Sequence, residues 1–336
     1  MQILENVPLK TYNTFGVKCN AKQLVVIDNL PELQSFVKLH WNQYPTKMIL
    51  GGGSNVLFTS DFDGMILHPQ IKGIEVIEEN NSEIFVKAMC GEVWDEFVSY
   101  CTNHGWGGLE NLSQIPGNVG ACPIQNIGAY GVEVKETITN VEALDLKSGE
   151  IVTFHNDKCE FGYRTSIFKT SSKGEYLIFA VSFRLRKNPV LKTNYADVEK
   201  ELVKYDRIDV KAVRDAISAI RWRKLPDPLC IGNAGSFFKN PVIAHSLYKE
   251  IQEDYPKIPG YAAGEKFIKV PAAWLIENAC YKGVREGDVG TSPTQPLVIV
   301  NYGDATGVEI LHFAARIQKR VKEMFRIELE MEVNII

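Results

Sequence analysis

Apolar residues recur along residues 1–70 with the spacing of short strands around one helix. Asn29 precedes Pro31 and Glu32, an order of residues that favours the start of a helix. The apolar face of this helix would consist of Leu33, Phe36, Val37, His40 and Trp41. Three short apolar runs predict strands, at residues 23–27, 47–50 and 65–67. The first part of the chain is therefore expected to alternate strands with a helix.

From about residue 71 the pattern becomes richer in strands. Residues 74–77 and 84–88 can pair through the polar turn at 79–82. A helix follows and ends at Gly105, and its buried face would consist of Val93, Trp94, Phe97, Val98 and Cys101. Alternating runs then predict antiparallel strands, at residues 138–146, 150–155 and 176–186.

Beyond residue 208 helices dominate the pattern. Residues 209–223 form an amphipathic helix that stops before Pro226-Asp227-Pro228, a stiff connection that indicates a domain boundary. A helix is predicted at 272–279 and a strand at 297–300. A long helix then begins near Thr306, whose spacing to Glu309 is that of a capping box.

The last predicted strand, residues 327–335, has two unlike faces. Its apolar face would consist of Ile327, Leu329, Met331, Val333 and Ile335. The opposite face carries Glu328, Glu330 and Glu332, three like charges that repel one another unless water or a cation relieves them. On this pattern alone, a solvated outer face is the simplest interpretation.

Composition limits the classes of protein that fit. Of the 336 residues, 45% are hydrophobic and 23% charged, so two or three ordinary globular domains are expected. The net charge of -4 gives no general attraction to nucleic acid or to an anionic membrane. No stretch approaches the roughly 20 apolar residues of a membrane span, and the N-terminus lacks the pattern of a signal peptide. A cytoplasmic protein without nucleic-acid or membrane partners is therefore expected.

The cysteines and histidines, which often bind metals, are not spaced as metal ligands in this sequence. The seven cysteines include no CxxC pair, and none lies at metal-ligand spacing from a histidine. We interpret them as buried, reduced thiols and expect no metal site. The six histidines show neither metal nor triad spacing. Four tryptophans without interleaved basic residues are interpreted as packing residues rather than a base-stacking platform, namely Trp94, Trp106, Trp222 and Trp274.

Two glycine-rich segments are candidates for ligand binding. A predicted strand runs into Gly51-Gly52-Gly53-Ser54-Asn55, where backbone N–H groups without neighbouring Cβ atoms can approach a phosphate. This loop is neither a dinucleotide fingerprint nor a Walker loop, and alone it could equally be a tight turn. Residues 111–131 are rich in glycine, proline and residues with side-chain amides. This composition suits a chain that wraps around a ligand. A structural Ω-loop is the alternative for this second segment.

Further strings carry a resemblance to a known family over nearly the whole chain. They are Tyr12-Asn13-Thr14-Phe15-Gly16, Phe161-Gly162-Tyr163-Arg164-Thr165-Ser166, Leu225-Pro226-Asp227-Pro228, Gly232-Asn233-Ala234-Gly235-Ser236-Phe237-Phe238-Lys239-Asn240-Pro241 and Glu332-Val333. Together with the two glycine-rich segments, and in this order, they resemble the MurB reductases of peptidoglycan synthesis. The string at 232–241 is very specific.

The resemblance implies an α+β protein with the FAD-binding fold of the vanillyl-alcohol oxidase (PCMH) type. Two subdomains would hold FAD, at residues 1–70 and at 71–222 joined by a C-terminal strand at 326–336. A smaller α+β substrate-binding domain would occupy residues 223–325. The FAD is expected to be noncovalent, because the first glycine loop ends in Ser54 and Asn55, although Cys122 lies inside the second segment.

The resemblance also assigns residues to each ligand. FAD would be held by Gly51, Gly52, Gly53, Ser54, Asn55, Ile115, Pro116, Gly117, Gly120, Ala121, Gln125, Asn126, Gly128, Ala129 and Tyr130. A UDP-sugar substrate would be contacted by Tyr163, Tyr195, Lys224, Asn240, Tyr261 and Gln295. Tyr195 lies in residues 188–205, which resemble a lid present in one of two types of the family. No dinucleotide fingerprint is present, so NADPH is expected to use the substrate cleft in turn. A monomer is expected.

The implied reaction is the NADPH-dependent reduction of UDP-N-acetylglucosamine enolpyruvate to UDP-N-acetylmuramate. Hydride addition to its double bond is favoured by a cation at the carboxylate, and Arg164 is the expected cation, with Glu332 orienting it or the substrate. The adjacent carbon then resembles a carbanion, basic enough to take a proton from a serine hydroxyl. The resemblance assigns that proton to Ser236.

Two other classes stay open. Another FAD-dependent oxidase or dehydrogenase of the same fold would need a base rather than a serine acid. A noncatalytic protein that binds flavin or a nucleotide sugar would be expected to lack the proton donor, whereas Ser236 is present.

Overall fold

The computed structural model describes residues 1–336 and contains both helices and sheets. The α-helices are α1 (Leu30–Leu39), α2 (Trp94–Asn103), α3 (Ala196–Leu202), α4 (Val210–Lys224), α5 (His245–Asp254), α6 (Ala272–Asn278) and α7 (Gly307–Phe325). None of them combines the length and the apolar composition that a membrane-spanning helix requires.

The strands are short, with few exceptions. They are β1 (Gln2–Pro8), β2 (Asn20–Ile27), β3 (Lys47–Ile49), β4 (Val56–Leu57), β5 (Phe62–Pro69), β6 (Ile74–Glu79), β7 (Glu83–Met89), β8 (Gly128–Ala129), β9 (Val132–Glu133), β10 (Ile138–Asp145), β11 (Ile151–His155), β12 (Tyr176–Arg186), β13 (Gly232–Ser236), β14 (Val242–Ala244), β15 (Tyr261–Ala262), β16 (Phe267–Lys269), β17 (Arg285–Glu286), β18 (Val289–Thr291), β19 (Val298–Asn301) and β20 (Asn334–Ile335).

The chain folds into two compact units, each built from several segments. The first unit consists of Met1–Val7, Ala21–Gly52 and Asp63–Arg221. The second consists of Pro8–Asn20, Gly53–Phe62 and Trp222–Ile336. The domain boundaries expected at residues 70 and 222 stay a prediction.

The first unit is built on two main sheets. A four-stranded sheet has the order β1-β2-β5-β3, with β3 and β5 parallel. A five-stranded antiparallel sheet has the order β11-β10-β12-β7-β6. Helix α2 packs on the latter, where the rings of Trp94 and Phe97 lie 6.0 Å and 4.9 Å from that of Phe183. The predicted buried face of α2 is confirmed at Trp94, Phe97, Val98 and Cys101, but Val93 precedes the helix and is 38% exposed.

The second unit packs helices on smaller sheets. Its strands are ordered β13-β19-β18-β17 and β14-β16-β15, and β20 pairs in parallel with β4. Helix α7 buries Ile310, Phe313, Ile317 and Val321 in the same cluster as Phe237. The predicted capping box is confirmed, because Thr306 and Glu309 bond to each other's backbone N–H groups.

The long strand predicted at 327–335 is wrong. Ladder pairing is confined to β20 and to an isolated bridge between Met331 and Phe238. The carbonyl of Leu329 instead accepts a hydrogen bond of 2.7 Å from the Gln318 side chain of α7. The alternation of buried and exposed residues holds for 327–330, but Ile335 is exposed. The last stretch is therefore held by short backbone pairings with residues 237–239 and 55–57 and by the Gln318 side chain, instead of by one continuous strand partner.

Two predictions about buried side chains need correction. Five of the seven cysteines are buried, as expected, but Cys230 and Cys280 are exposed. Trp222 is 58% exposed, so it is not a packing residue. It lies on the solvent side of α4, where the apolar stripe of the helix does not reach.

Candidate functional site

The first glycine loop lies against the second glycine-rich segment. A Cβ on Gly52 would lie 2.6 Å from the Oδ1 atom of Asn118 and 3.1 Å from the Cα atom of Gly117. The Asn118 side chain is held in place because it donates a hydrogen bond of 2.9 Å to the carbonyl of Gly91. Only a residue without Cβ allows this approach of two backbones, which fits a loop that cradles a phosphate.

The middle of the second glycine-rich segment, residues 111–131, is hydrogen-bonded to the chain that leads into α2. Trp94 N–H donates to the carbonyl of Gly117 at 2.9 Å, and Gly120 N–H donates to that of Cys90 at 3.1 Å. A Cβ on Gly120 would lie 2.5 Å from the Cβ of Cys90. The glycines predicted to hold FAD thus also fix the path of the segment.

Asp95, which sequence reasoning missed, holds the beginning of the second segment. Its carboxylate accepts hydrogen bonds from the backbone N–H of Gln114 at 2.6 Å and from the Gln114 side chain at 2.8 Å. Gln114 has a left-handed φ of 60°, which this pair of bonds stabilises. The guanidinium of Arg214 on α4 donates to the same carboxylate at 2.9 Å.

Arg164 lies at the tip of a tight turn that is bonded to the second segment. Gly162 N–H donates to the carbonyl of Thr165 at 3.0 Å, and Arg164 has a φ of 55°. The Nη2 atom of Arg164 donates to the carbonyl of Gly128 at 2.6 Å. The ring of Tyr163 lies 5.8 Å from the Arg164 guanidinium carbon. The structure therefore brings Tyr163 and Arg164 to the end of the segment predicted to hold FAD.

The side chain of Asn126 is occupied within the protein. Its Nδ2 atom donates to the carbonyl of Gly162 at 2.9 Å and to the carboxylate of Glu133 at 3.0 Å. Its Oδ1 atom accepts from Lys135 N–H at 3.1 Å. Asn126 is fully buried, so it ties the Arg164 turn to the segment, and any contact with FAD would involve its backbone.

Arg221 on α4 is a further cation of the first unit that sequence reasoning missed. Burial lowers the pKa of its guanidinium, the neighbouring Arg164 lowers it further, and a hydrogen bond to Tyr130 raises it. Its Nε atom is buried without a hydrogen-bond partner. Arg214 and Arg221 are seven residues apart and so share a face of α4, which was the available signal. A cluster of guanidinium groups near the second segment suits anionic ligands.

Ser236 ends a bulged strand in the second unit. Strand β13 pairs with β19, but the register shifts between Asn233 and Ser236. The buried side chain of Asn233 accepts from Gly235 N–H at 3.0 Å and donates to the carbonyl of Ile231 at 2.9 Å. Gly235, with a φ of 67°, lets the chain turn just before the serine. The bulge thereby fixes where Ser236 leaves the ladder.

Glu332 lies beside the strand that carries Ser236. Its backbone N–H donates to the carbonyl of Phe237 at 2.8 Å. Its carbonyl accepts from the Asn55 side chain at 3.2 Å, and Asn334 N–H donates to the carbonyl of Asn55 at 3.1 Å. The second unit therefore places Ser236, Glu332 and the end of the first glycine loop on neighbouring segments.

The predicted site residues are divided between the two units. The first unit holds Gly51, Gly52, Ile115, Pro116, Gly117, Gly120, Ala121, Gln125, Asn126, Gly128, Ala129, Tyr130, Tyr163, Arg164 and Tyr195. The second holds Gly53, Ser54, Asn55, Lys224, Ser236, Asn240, Tyr261, Gln295 and Glu332. The assignment of these residues to FAD, substrate or catalysis stays a prediction.

Two predicted substrate residues of the second unit also serve its structure. The Oδ1 atom of Asn240 accepts from Ala272 N–H at 2.9 Å, which caps α6. The carbonyl of Gln295 accepts from Val298 N–H at 3.0 Å, and Val298 is the β19 partner of Ser236. Tyr261 is 57% exposed on the small sheet.

Cys122 has the environment of an unreactive thiol. It is fully buried, and burial raises the pKa of its thiol well above the ordinary value. Because the thiolate is the nucleophilic form, a buried thiol of this kind is a poor candidate for covalent attachment of flavin.

Comparison with known proteins decides the family. Residues 227–336 match the family described as UDP-N-acetylenolpyruvoylglucosamine reductase, C-terminal domain, and residues 21–155 match an FAD binding domain. Proteins named UDP-N-acetylenolpyruvoylglucosamine reductase from Flavobacterium johnsoniae and Amoebophilus asiaticus are 45% and 46% identical to it, over 100% of this chain and of each relative. The chain belongs to the UDP-N-acetylenolpyruvoylglucosamine reductase family. It is an FAD-dependent oxidoreductase, as the sequence predicted.

A solved structure supports the fold. The crystal structure of the reductase MurB from Thermus caldophilus superposes with a TM-score of 0.70 and covers 99% of this chain and 98% of that chain at 21% sequence identity. With the matched FAD binding domain, this confirms the predicted α+β fold with FAD-binding architecture of the vanillyl-alcohol oxidase type. The glycines that pack backbone on backbone at Gly52 and Gly120 fit an FAD site.

Proposed function

We propose that this protein reduces UDP-N-acetylglucosamine enolpyruvate to UDP-N-acetylmuramate with NADPH, in the synthesis of peptidoglycan. The observation that carries the proposal is 45% identity, over the whole of both chains, to a relative named for this reduction. Both NADPH and UDP-sugars are cytoplasmic metabolites, so the reaction belongs in the cytoplasm. We further propose that the enzyme acts as a monomer.

FAD, when bound and reduced by NADPH, would supply the hydride. The protein's part is to make the enolpyruvyl double bond accept it, and Arg164 does this by binding the substrate carboxylate. The bond from its Nη2 atom to the carbonyl of Gly128 fixes the plane of the guanidinium, and a planar fork of donors suits the geometry of a carboxylate. The neighbouring Arg221 adds positive charge on the same unit.

Ser236 then donates the proton. Loss of the alkene π bond leaves electron density on the carbon next to the carboxylate, and this carbon takes the hydroxyl proton of Ser236. The bulge at Asn233 and Gly235 holds the serine backbone in one position. Glu332 orients the reacting groups from the adjacent segment, a role supported by its backbone bond to Phe237.

We assign the nucleotide and sugar contacts to the six residues that the family resemblance indicates. Lys224 supplies charge for the diphosphate, and the tyrosines supply hydroxyl donors and stacking faces. Tyr195 and Tyr163 are contributed by the first unit, and the other four by the second. NADPH occupies the same cleft before the UDP-sugar does.

Absorbance of the flavin tests the proposal directly. Purified protein should be yellow, and anaerobic NADPH should bleach it. Addition of UDP-N-acetylglucosamine enolpyruvate should then restore the colour within the turnover time, whereas oxygen should do so slowly. Rapid reoxidation by oxygen and none by the enolpyruvyl ether would instead identify an oxidase of the same fold. A colourless protein that binds no FAD would reject both.

A further inference from the structure

Residues 188–205 are folded onto the first unit rather than projecting from it. Within them, α3 buries Val198 and Leu202 in one cluster with Val213 and Ile217 of α4. The ring of Tyr205 packs on the same cluster. Leu191 packs on this cluster too, so the hydrophobic contacts reach from the beginning of the 188–205 segment to its end.

Asn111 adds a buried polar contact near the beginning of the segment. Its buried side chain donates from Nδ2 to the carbonyl of Lys192 at 2.9 Å and to the carbonyl of Tyr130 at 3.1 Å. One amide group thus bridges the 188–205 segment and the end of the second glycine-rich segment. Its Oδ1 atom is buried without a hydrogen-bond partner. A buried unsatisfied oxygen is costly, so the orientation of this amide is dictated by its two donor bonds.

The same bridge brings two tyrosine rings together. The ring of Tyr195 meets that of Tyr130 edge to face, with centroids 5.5 Å apart and planes at 76°. Tyr130 has a left-handed φ of 48°, so its ring direction depends on how its backbone is held. Asn111 holds that backbone through the Tyr130 carbonyl, and it holds the chain three residues before Tyr195. The amide therefore fixes both partners of the aromatic contact.

We propose that Asn111 is a positioning residue that clasps the 188–205 segment to the first unit and so places Tyr195 for the substrate. Asn111 is buried, and it acts through Tyr130 and Tyr195. The part of the proposal that concerns the substrate rests on the proposed function, whereas the clasp itself does not. No residue of the segment between Leu191 and Val198 belongs to the hydrophobic cluster, so the bond to Lys192 adds a contact that this packing does not supply.

The test compares Asn111→Ala with the wild type as holoenzymes. We expect the KM for UDP-N-acetylglucosamine enolpyruvate to rise about tenfold, the loss expected from hydrogen bonds to a positioned segment, while kcat changes less than threefold. FAD content and the flavin spectrum should be unchanged. Hydrogen exchange of the amides in residues 190–205 should become about tenfold faster, since this stretch opens locally. Asn111→Ser keeps one short hydrogen-bond donor, so its KM and exchange rates should lie between those of the wild type and of Asn111→Ala. This variant also keeps the test possible if Asn111→Ala does not fold.

Glu136→Gln is the matched control. It removes the exposed ion pair between Glu136 and Lys192 but keeps the acceptor oxygen that caps the neighbouring 3₁₀ turn. Its KM and exchange rates should equal those of the wild type. Unchanged exchange in residues 190–205 of the Asn111 variants would overturn the clasp, and faster exchange with an unchanged KM would overturn its role in placing Tyr195. If wild-type protein does not reduce the enolpyruvyl ether, the proposed function fails, yet the exchange data still decide whether Asn111 holds the segment.

Discussion

The backbone N–H of Glu332 donates a hydrogen bond of 2.8 Å to the carbonyl of Phe237, the residue that follows Ser236. The bond joins two stretches of chain almost 100 residues apart in sequence. The neighbouring bond from Lys239 N–H to the carbonyl of Glu330 at 2.9 Å extends the pairing. The relative positions of Ser236 and Glu332 are thus set by backbone geometry and not by flexible side chains, which is how preorganised sites are built.

Replacement of Ser236 by alanine should separate the two halves of the reaction. We expect Ser236→Ala to keep FAD and to be reduced by NADPH at the wild-type rate, because the hydroxyl has no part in flavin reduction. Reoxidation by the enolpyruvyl substrate should slow by about 10²–10⁴-fold, the usual contribution of a general acid. Stopped-flow absorbance of the flavin measures both halves. Ser171→Ala, at an exposed turn, serves as the control, and a normal rate of reoxidation in Ser236→Ala would remove the serine from its proposed role.

Arg164→Lys should be nearly as damaging as loss of the charge altogether. A lysine ammonium is a point charge that cannot bond both to Gly128 and in bidentate fashion to a carboxylate. We expect kcat/KM for the enolpyruvyl ether to fall by about 10- to 10²-fold, since a charge-assisted pair contributes roughly 1.5–3 kcal/mol. Arg184→Lys, at an exposed position of β12, is the control and should retain full activity. Full activity of Arg164→Lys would reject the carboxylate-binding role.

Sequence patterns predicted the elements whose chemistry is local. The cap at Asn29 is confirmed, since its side chain accepts from Glu32 N–H at 2.9 Å. The capping box at Thr306 and Glu309 and the antiparallel strands β10, β11 and β12 are confirmed as well. In each of these cases, a few adjacent residues determine the structure. The family strings similarly identified the candidate site, because they are contiguous.

What the sequence could not predict depends on long-range partners. The carbonyl of Leu329 accepts a hydrogen bond from the Gln318 side chain of α7, a partner that the alternation of residues 327–335 does not reveal. Asp95 and Arg214, 119 residues apart, meet only in the fold. Asn111 was not predicted either, because its side chain binds the backbone carbonyl groups of two other residues. Every residue has a backbone carbonyl, so no sequence pattern identifies these partners.

Gly53→Ala should reduce FAD binding and stability far more than an alanine substitution at another glycine with a similar left-handed φ. Gly53 has a φ of 62°, and a Cβ there would lie 1.9 Å from the carbonyl oxygen of Tyr12. Strain of about 1–2 kcal/mol from the left-handed backbone would be joined by a clash that costs about as much again or more. We expect loss of most bound FAD and a lower Tm. Gly174 also has a left-handed φ, of 80°, but a Cβ there would meet no atom within 4 Å. Gly174→Ala therefore measures the effect of backbone strain without a clash, and this variant should keep its FAD. Equal effects of the two substitutions would show that the close approach of Tyr12 is unimportant.

Glu110 should make stability fall as pH rises. The residue is buried, and burial raises the pKa of its carboxyl, although bonds from backbone N–H groups such as that of Gly108, at 2.6 Å, oppose the rise. The folded protein therefore keeps a proton that the unfolded chain releases near pH 4.3. From that pH up to the folded-state pKa, the folded state binds more protons, so the free energy of unfolding declines, and above it the loss is constant.

Glu110→Gln mimics the protonated carboxyl and cannot ionise, so it tests this sign directly. Its Tm should equal that of the wild type below about pH 4 and exceed it at pH 7, with the difference growing in between. Glu328→Gln gives the opposite trend as a control, because the ion pair with Lys322 lowers the pKa of Glu328, and the stability that this pair provides is present only above the unfolded pKa. Thermal melts of the three proteins from pH 3 to pH 8, at fixed FAD concentration, measure both trends, because the Glu328 difference changes below about pH 4.3 and the Glu110 difference changes above it. A Tm difference for Glu110→Gln that does not change with pH would mean that the buried carboxyl stays ionised in the folded protein.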